Sequence, residues 1–246
     1  MLLVPPRRSD PELLDLPGGA VEYSELCGSL SDIRRVNRFL GGTGSIVKTF
    51  SRMVEDARRR GEIKDRITLL DVAAGSADVP AALVEWGKSR GIGIKVTAVD
   101  VNEYVVRHAR EWTDGKGAFD FVAADALALP FKERSFDFVL CSLTLHHFRE
   151  DEARGLLLGI ARTARVGYLV DDLRRHLVPF FLIYLITRLL TGNRLTRCDG
   201  PLSVLKAYTR EELSRLARSA GLSDFRTLRH RWWRMALVGG GGPFGR

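Results

Sequence analysis

Leu69-Leu70-Asp71-Val72-Ala73-Ala74-Gly75-Ser76-Ala77-Asp78 is the stretch whose reading decides the fold. An apolar run of strand character ends in an acid, turns on small residues and passes directly into a helical pattern. Strand, tight turn and helix N-terminus in that order present backbone N–H groups to a ligand.

Working outward, the chain alternates regularly. Strand 67–71 leads to a helix over 79–89, with Asp78 as its expected N-cap, Pro80 in its first turn and Gly91 beyond its end. Strand 94–100 leads to helix 102–112, and strand 119–123 leads through a loop to strand 136–141. Helix 151–164 then leads to strand 168–171. Strands alternating with helices of this length predict an α/β domain with a parallel sheet covered on both faces. Beyond Asp172 the rhythm breaks. Residues 174–191 read as a long apolar helix, and a polar loop follows through Pro201. Thr209-Arg210-Glu211-Glu212 is a capping box opening helix 211–220, and two strand-like runs, 225–231 and 234–238, close the domain.

Upstream, residues 1–20 carry four prolines and read as a mobile lead-in apart from Leu13-Leu14. A helical pattern from Glu22 ends at Gly41-Gly42, and a second one places Ile46, Phe50, Met53, Val54 and Ala57 on one face. Residues 42–49 nearly spell a phosphate-binding loop, but Val47 stands where its second glycine belongs and a helix, not a strand, precedes it. Arg58-Arg59-Arg60 reads as a last helical turn complementing the dipole.

Composition narrows the class. The chain has 246 residues, 45% hydrophobic, enough for one large domain with an appendage. Its three cysteines form no C-x-x-C pair, so no metal site or disulfide framework is expected, and a reducing cytoplasm fits. The longest uncharged apolar run, 177–187, falls short of the roughly 18 residues a membrane span needs. The formal charge of +8 leaves nucleic acid, an anionic membrane surface met peripherally, or an acidic small molecule open.

Four features fall at successive strand ends, where open α/β sheets bind ligands. The first is the turn after Asp71, with one glycine where a dinucleotide fold wants three. The second is Asp100, 25 positions after Gly75 and able to accept from two ribose hydroxyls; its bland alternative is a helix cap. The third is Ala124-Asp125-Ala126, an acid able to accept from an adenine amino group, or an ordinary turn aspartate. The fourth is 141–148, which carries His146 and His147 beside the first strand.

Together LLDVAAGSAD, VTAVDVN, FVAADALALPF and FDFVLCSLTLHHF resemble the motif series of class I S-adenosylmethionine-dependent methyltransferases, in particular the small-molecule group that includes ubiquinone and menaquinone C-methyltransferases. The likeness covers about residues 67–238. It implies a Rossmann-like, seven-stranded, mostly parallel sheet of order 3-2-1-4-5-7-6, with helices on both faces and a helical cap. Residues 1–61 would form the lead-in and cap, 62–240 the cofactor-binding domain with an inserted cap helix at 174–191, and 241–246 a tail. The resemblance implies S-adenosylmethionine as cofactor, with Asp71, Ala73, Gly75 and Ser76 bordering its methionine end. Asp100 would hold the ribose, Val101 would lie against adenine, Asp125 and Ala126 would read its edge, and Ser142 would face the methionine side. Ala73 and Ala77 stand where the family usually has glycines, which would set the turn slightly farther from the ligand.

Methyl transfer from a sulfonium asks the protein mainly for alignment and exclusion of water. A phenolic acceptor, with pKa near 10, gains from a base of near-neutral pKa. His146 and His147 are the candidate catalytic residues, although adjacent histidines are not expected to point the same way. Arg174, Phe181 and Tyr184 are candidates for the acceptor pocket, and Arg175 reads as part of a local ion pair. The expected acceptor is a lipophilic, aromatic or polyketide-like small molecule, methylated on oxygen or carbon. An RNA-directed enzyme suits the charge, but the Asn/Asp-Pro-Pro-aromatic run of base-amine methyltransferases is replaced by Cys141-Ser142-Leu143-Thr144, so nucleic acid is not the expected partner. A nicotinamide oxidoreductase lacks its pyrophosphate glycines. A non-catalytic cofactor-binding protein is the third alternative.

Overall fold

A computed structural model of the chain describes residues 3–16 and 21–240. The expected tail, 241–246, lies outside the described residues. Seven strands form one sheet: β1 Arg66–Val72, β2 Gly93–Asp100, β3 Ala118–Ala123, β4 Phe136–Ser142, β5 Ala164–Leu173, β6 Phe225–His230 and β7 Arg234–Gly239. Their order is β3-β2-β1-β4-β5-β7-β6, with β1 to β5 parallel and β7 antiparallel to both β5 and β6.

Strand alternation explains why the central strands read as nearly continuous apolar runs. Ile67 and Leu69 of β1, with Phe138 and Leu140 of β4, enter the core on one face. Leu70 and Val72, with Val139 and Cys141, enter the core on the other. Helices α1 Tyr23–Phe39, α2 Gly42–Arg59, α3 Asp78–Ser89 and α4 Glu103–Thr113 precede β4 or link the first strands. Phe50 of α2 seals the first face against Phe138, ring centroids 5.1 Å apart. Helices α5 Glu150–Thr163 and α8 Arg210–Ser219 cover the second, through Leu156, Leu157, Leu213 and Leu216. Between β5 and α8 stand α6 Leu177–Leu190 and α7 Arg194–Lys206.

Two local expectations are corrected. Ala77, not Asp78, caps α3, at φ 53°, and Asp78 is the helix's first residue. The polar loop expected through Pro201 is helical: Asn193 caps α7 by accepting from Thr196 N at 3.1 Å, and the helix runs through Pro201. Proline frees the carbonyl four residues back. That carbonyl, Arg197 O, accepts from Arg188 at 3.3 Å, so the helix continues.

The largest correction concerns the lead-in. Residues 3–16 form a strap across the C-terminal edge of the sheet. Arg7 donates to Lys206 O (2.7 Å) and Phe148 O (2.8 Å) and lies over the Tyr208 ring. Asp199 accepts from Leu13 N and Leu14 N at 2.9 and 3.0 Å. Leu3 O accepts from Leu177 N at 2.8 Å. Prolines keep the strap extended, and side chains supply the backbone partners that a lone segment lacks.

Candidate active site

The ends of β1, β2, β3 and β4, the strap, α1 and the α6–α7 pair enclose one cavity of about 1240 Å³. That exceeds the roughly 300–1,000 Å³ common for a single small ligand, so two molecules fit side by side. Asp71, Ala73, Gly75, Ser76, Asp100, Val101, Asp125, Ala126, Ser142, His146 and His147 all border it.

Its first half is the turn after β1. Ala73, Gly75 and Ala77 all take left-handed φ, between 53° and 54°. The alanines therefore keep the backbone a glycine would adopt, at a steric cost of about 1–2 kcal/mol each. A Cβ added at Gly75 would meet nothing within 4 Å, so the backbone there faces open space. Asp100 buttresses the turn, one oxygen accepting from Gly75 N and the other from Asn102 N, each at 3.1 Å. Asp125 caps the short turn after β3 through Leu127 N at 2.8 Å, and Val101 stands exposed at the rim.

Burial, reinforced by the charges of Asp78 and Asp100, holds the Asp71 carboxyl well above the usual carboxylate range. Burial also raises Asp78 and Asp100. Three carboxylates short of positive charge beside an open backbone cradle suit a ligand carrying cationic groups. S-adenosylmethionine, with a sulfonium and an ammonium, fits these residues.

Arg234, at the start of β7, closes the floor of this half. It is paired with Asp171 and donates to Asn37 Oδ1 (2.9 Å) and Ser142 Oγ (3.3 Å).

The second half holds the histidines. Leu145–His147 form a single 3-10 turn, and both imidazoles line the cavity with ring centroids 4.3 Å apart. The expectation that they diverge is corrected: each is anchored by its own acid. Asp172 accepts from the backbone N (2.9 Å) and Nδ1 (2.7 Å) of His146. Asp15, from the strap, accepts from His147 Nδ1 at 2.8 Å. Burial opposes ionisation of both acids, but their histidine contacts outweigh it and hold Asp172 and Asp15 below the usual range. Ionised acids at Nδ1 fix the proton there, leaving Nε2 of each neutral ring as an acceptor.

The two Nε2 atoms converge on Glu12, at 3.7 and 3.9 Å. Glu12 is buried; Oε2 accepts from Ser203 (2.9 Å), and Oε1 faces Lys206 Nζ at 3.2 Å. Although Glu12, His146 and His147 bring ligand atoms within 4.8 Å of one another, the Lys206 ammonium already sits against this carboxylate. It also lies 3.5 Å from Asp15. Burial lowers the affinity of His147 for a proton, but the Asp15 hydrogen bond and the charges of Glu12 and Asp15 raise it further, so its pKa lies above the ordinary histidine value. His146 is fully covered, whereas the His147 side chain is 19% exposed to the cavity.

Arg174, Phe181 and Tyr184 stand outside this cavity. On α6 the residues that reach it are Ile183 and Thr187, one helical turn apart. Phe181 occupies the opposite side and Tyr184 a flank, and both are exposed. Arg174 leaves β5 with its backbone N donating to Trp233 O. The local ion pair expected of Arg175 is corrected: the guanidinium is buried and meets the distant Glu212 at 2.6 Å, and it donates to Pro5 O and Ala207 O. Glu12, Asp15, Asp172, Lys206 and Arg234 escaped the sequence reading. The one signal was Pro11-Glu12-Leu13-Leu14-Asp15, two acids flanking an apolar pair inside a proline-rich segment.

The sheet order is that of the Rossmann-like fold found in S-adenosylmethionine-dependent methyltransferases of known structure. Residues 70–170 match the family model described as "Methyltransferase domain". The chain is 38% identical over 73 residues to the ubiquinone/menaquinone biosynthesis C-methyltransferase of Rickettsia bellii, covering 28% of this chain and 29% of that relative. The chain thus spans under a third of the length of the curated relative it matches. Among solved structures, human N-acetylserotonin methyltransferase in complex with S-adenosylmethionine shares the fold at 17% identity and a TM-score of 0.64, over 96% of this chain and 64% of that one. A methyltransferase dependent on the same cofactor, from Aquifex aeolicus, aligns at 18% identity and TM-score 0.52, over 75% of this chain and 87% of that one.

Proposed function

We propose that the protein transfers the methyl group of S-adenosylmethionine to oxygen or carbon of a lipophilic, phenolic or polyketide-like small molecule. The observation that carries this reading is that one continuous cavity joins the acid-lined turn to a carboxylate-backed histidine pair. When bound, the cofactor supplies a methyl group already activated by its sulfonium.

Asp100 is placed to accept from ribose hydroxyls, Asp125 from an adenine edge, and Asp71 to offset positive charge at the methionine end. His147 Nε2 takes the acceptor's hydroxyl proton while Asp15 keeps the ring oriented and balances the imidazolium. Removing that proton raises electron density at the oxygen and at the ring carbons conjugated to it, so one base serves either acceptor atom. His146, locked by Asp172, acts as a positioning residue behind His147. The strap and α6 close over this half and exclude water, which favours a small acceptor over a base within RNA.

The test is purified protein with methyl-labelled S-adenosylmethionine offered alkylphenols, quinols and RNA. Label in the phenols or quinols is expected; label in RNA alone would overturn the reading.

A further inference from the structure

Helix α6 has an inner face that roofs the cavity and an outer face with no partner among the described residues. On that outer face Phe181 is 63% exposed, Leu185 55% and Leu189 72%. Leu182 and Tyr184 add to the same side, and Leu3 and Val4, also exposed, extend it at the helix N-terminus, where Leu3 O meets Leu177 N. Scattered exposed apolar residues are ordinary, but a continuous apolar helix face marks an interaction site.

Charge selects the occupant. From Arg174 to Cys198 the chain holds five arginines (174, 175, 188, 194 and 197) and no aspartate or glutamate. Of these, Arg175 is buried in its ion pair, and Arg194 meets Glu25. Arg188 stacks on Tyr184 at 3.6 Å, directly beside the apolar face, and Arg197 lies against it. A second copy packed two-fold on α6 would present the same acid-free segment, so the arginines would find no carboxylate there. Anionic headgroups supply the opposite sign. At 14 residues, about 21 Å long, α6 cannot cross a bilayer. Apolar residues on one side with flanking cations are the makings of a helix that lies in the interface plane.

We propose that the outer face of α6 seats the protein on an anionic phospholipid surface, with Phe181, Leu185 and Leu189 in the acyl boundary and Arg188 and Arg197 among the headgroups. This goes beyond the methyl-transfer reading and stands without it, because membrane binding is measured with no acceptor present.

The test is flotation of the full chain with vesicles of phosphatidylcholine, with or without phosphatidylglycerol. Binding is expected to the mixed vesicles, and to fall as salt screens the arginines. The double variant Leu185→Glu, Leu189→Glu should lose about tenfold or more of that binding. Both positions are exposed and outside the cavity, so its unfolding midpoint and its affinity for S-adenosylmethionine should match those of the wild type. Failure of the wild type to float with anionic vesicles would overturn the proposal. So would equal flotation of the double variant, or a wild-type dimer that these substitutions convert to monomer.

Discussion

The two halves of the cavity are built in different ways. The cofactor half has a local core: Asp71, Gly75, Asp78 and Asp100 lie within two consecutive strand–turn–helix units, where Gly75 N meets Asp100 across 25 positions. Its floor alone, Arg234 on Asn37, is drawn from far along the chain. The histidine half is assembled from distant segments. His147 meets Asp15 across 132 positions, and Ser203 meets Glu12 across 191. The first half follows from a fold that repeats one unit; the second exists only when the strap, α6 and α7 have closed over the sheet. Binding of one ligand and chemistry on the other should therefore be separable by mutation.

The sharpest break is expected at His147. His147→Gln removes the proposed base, so turnover should fall roughly 10²- to 10⁴-fold, while affinity for S-adenosylmethionine measured by calorimetry changes by less than about twofold. A comparable loss of cofactor affinity would show that the halves are not separable.

Asp100→Asn attacks the other half. Hydrogen bonds to a charged group contribute about 1.5–3 kcal/mol, so cofactor affinity should weaken roughly 10- to 150-fold in the same titration. The pH dependence of turnover at saturating cofactor should remain that of the wild type.

The halves should also titrate apart. As the proposed base, His147 must be neutral for turnover, and its pKa lies above its ordinary value, so at saturating cofactor the rate should rise with pH through a point above about 6.5. Asp15→Asn removes the hydrogen bond and charge that raise this pKa, so the profile should move to lower pH. In the cofactor half the sign is opposite. Asp71, Asp78 and Asp100 have raised pKa values, so the folded chain holds protons that the unfolded chain releases. Their contribution to stability is therefore lost as pH climbs through the raised values. A cationic ligand reverses that penalty. The thermal shift given by S-adenosylmethionine should accordingly be larger near pH ~8 than near pH ~5.

The contrast in construction also decides what was legible. The sheet order and the strand-end acids could be read because strand periodicity and βα turns are short-range signals. Ala73 and Ala77 could be located, but not their left-handed φ, since alanine gives no sign of it. The strap was missed because proline-rich sequence looks alike whether free or pinned, and its pins, Asp199 and Arg7, act across the whole chain. Pro201 reads as a helix breaker, and only the Arg188 guanidinium at the freed carbonyl explains why α7 continues. Periodicity found an apolar stripe on α6 but not which side faces inward; Ile183 and Thr187 do, while Phe181 and Tyr184 do not.

The smallest effect tests that strained turn. Ala77→Gly relieves about 1–2 kcal/mol of left-handed strain and gives back about 0.5–1 in chain entropy. A net gain within about 1 kcal/mol is expected by denaturant unfolding.

Calorimetric titration of the folded wild type with S-adenosylmethionine is the most direct measurement of where the cofactor sits, run beside Asp100→Asn. Saturable binding at one site per chain, weakened in the variant, is the expected result. No heat or saturation with the wild type, or unchanged binding by the variant, would contradict a cofactor held at the first three strand ends.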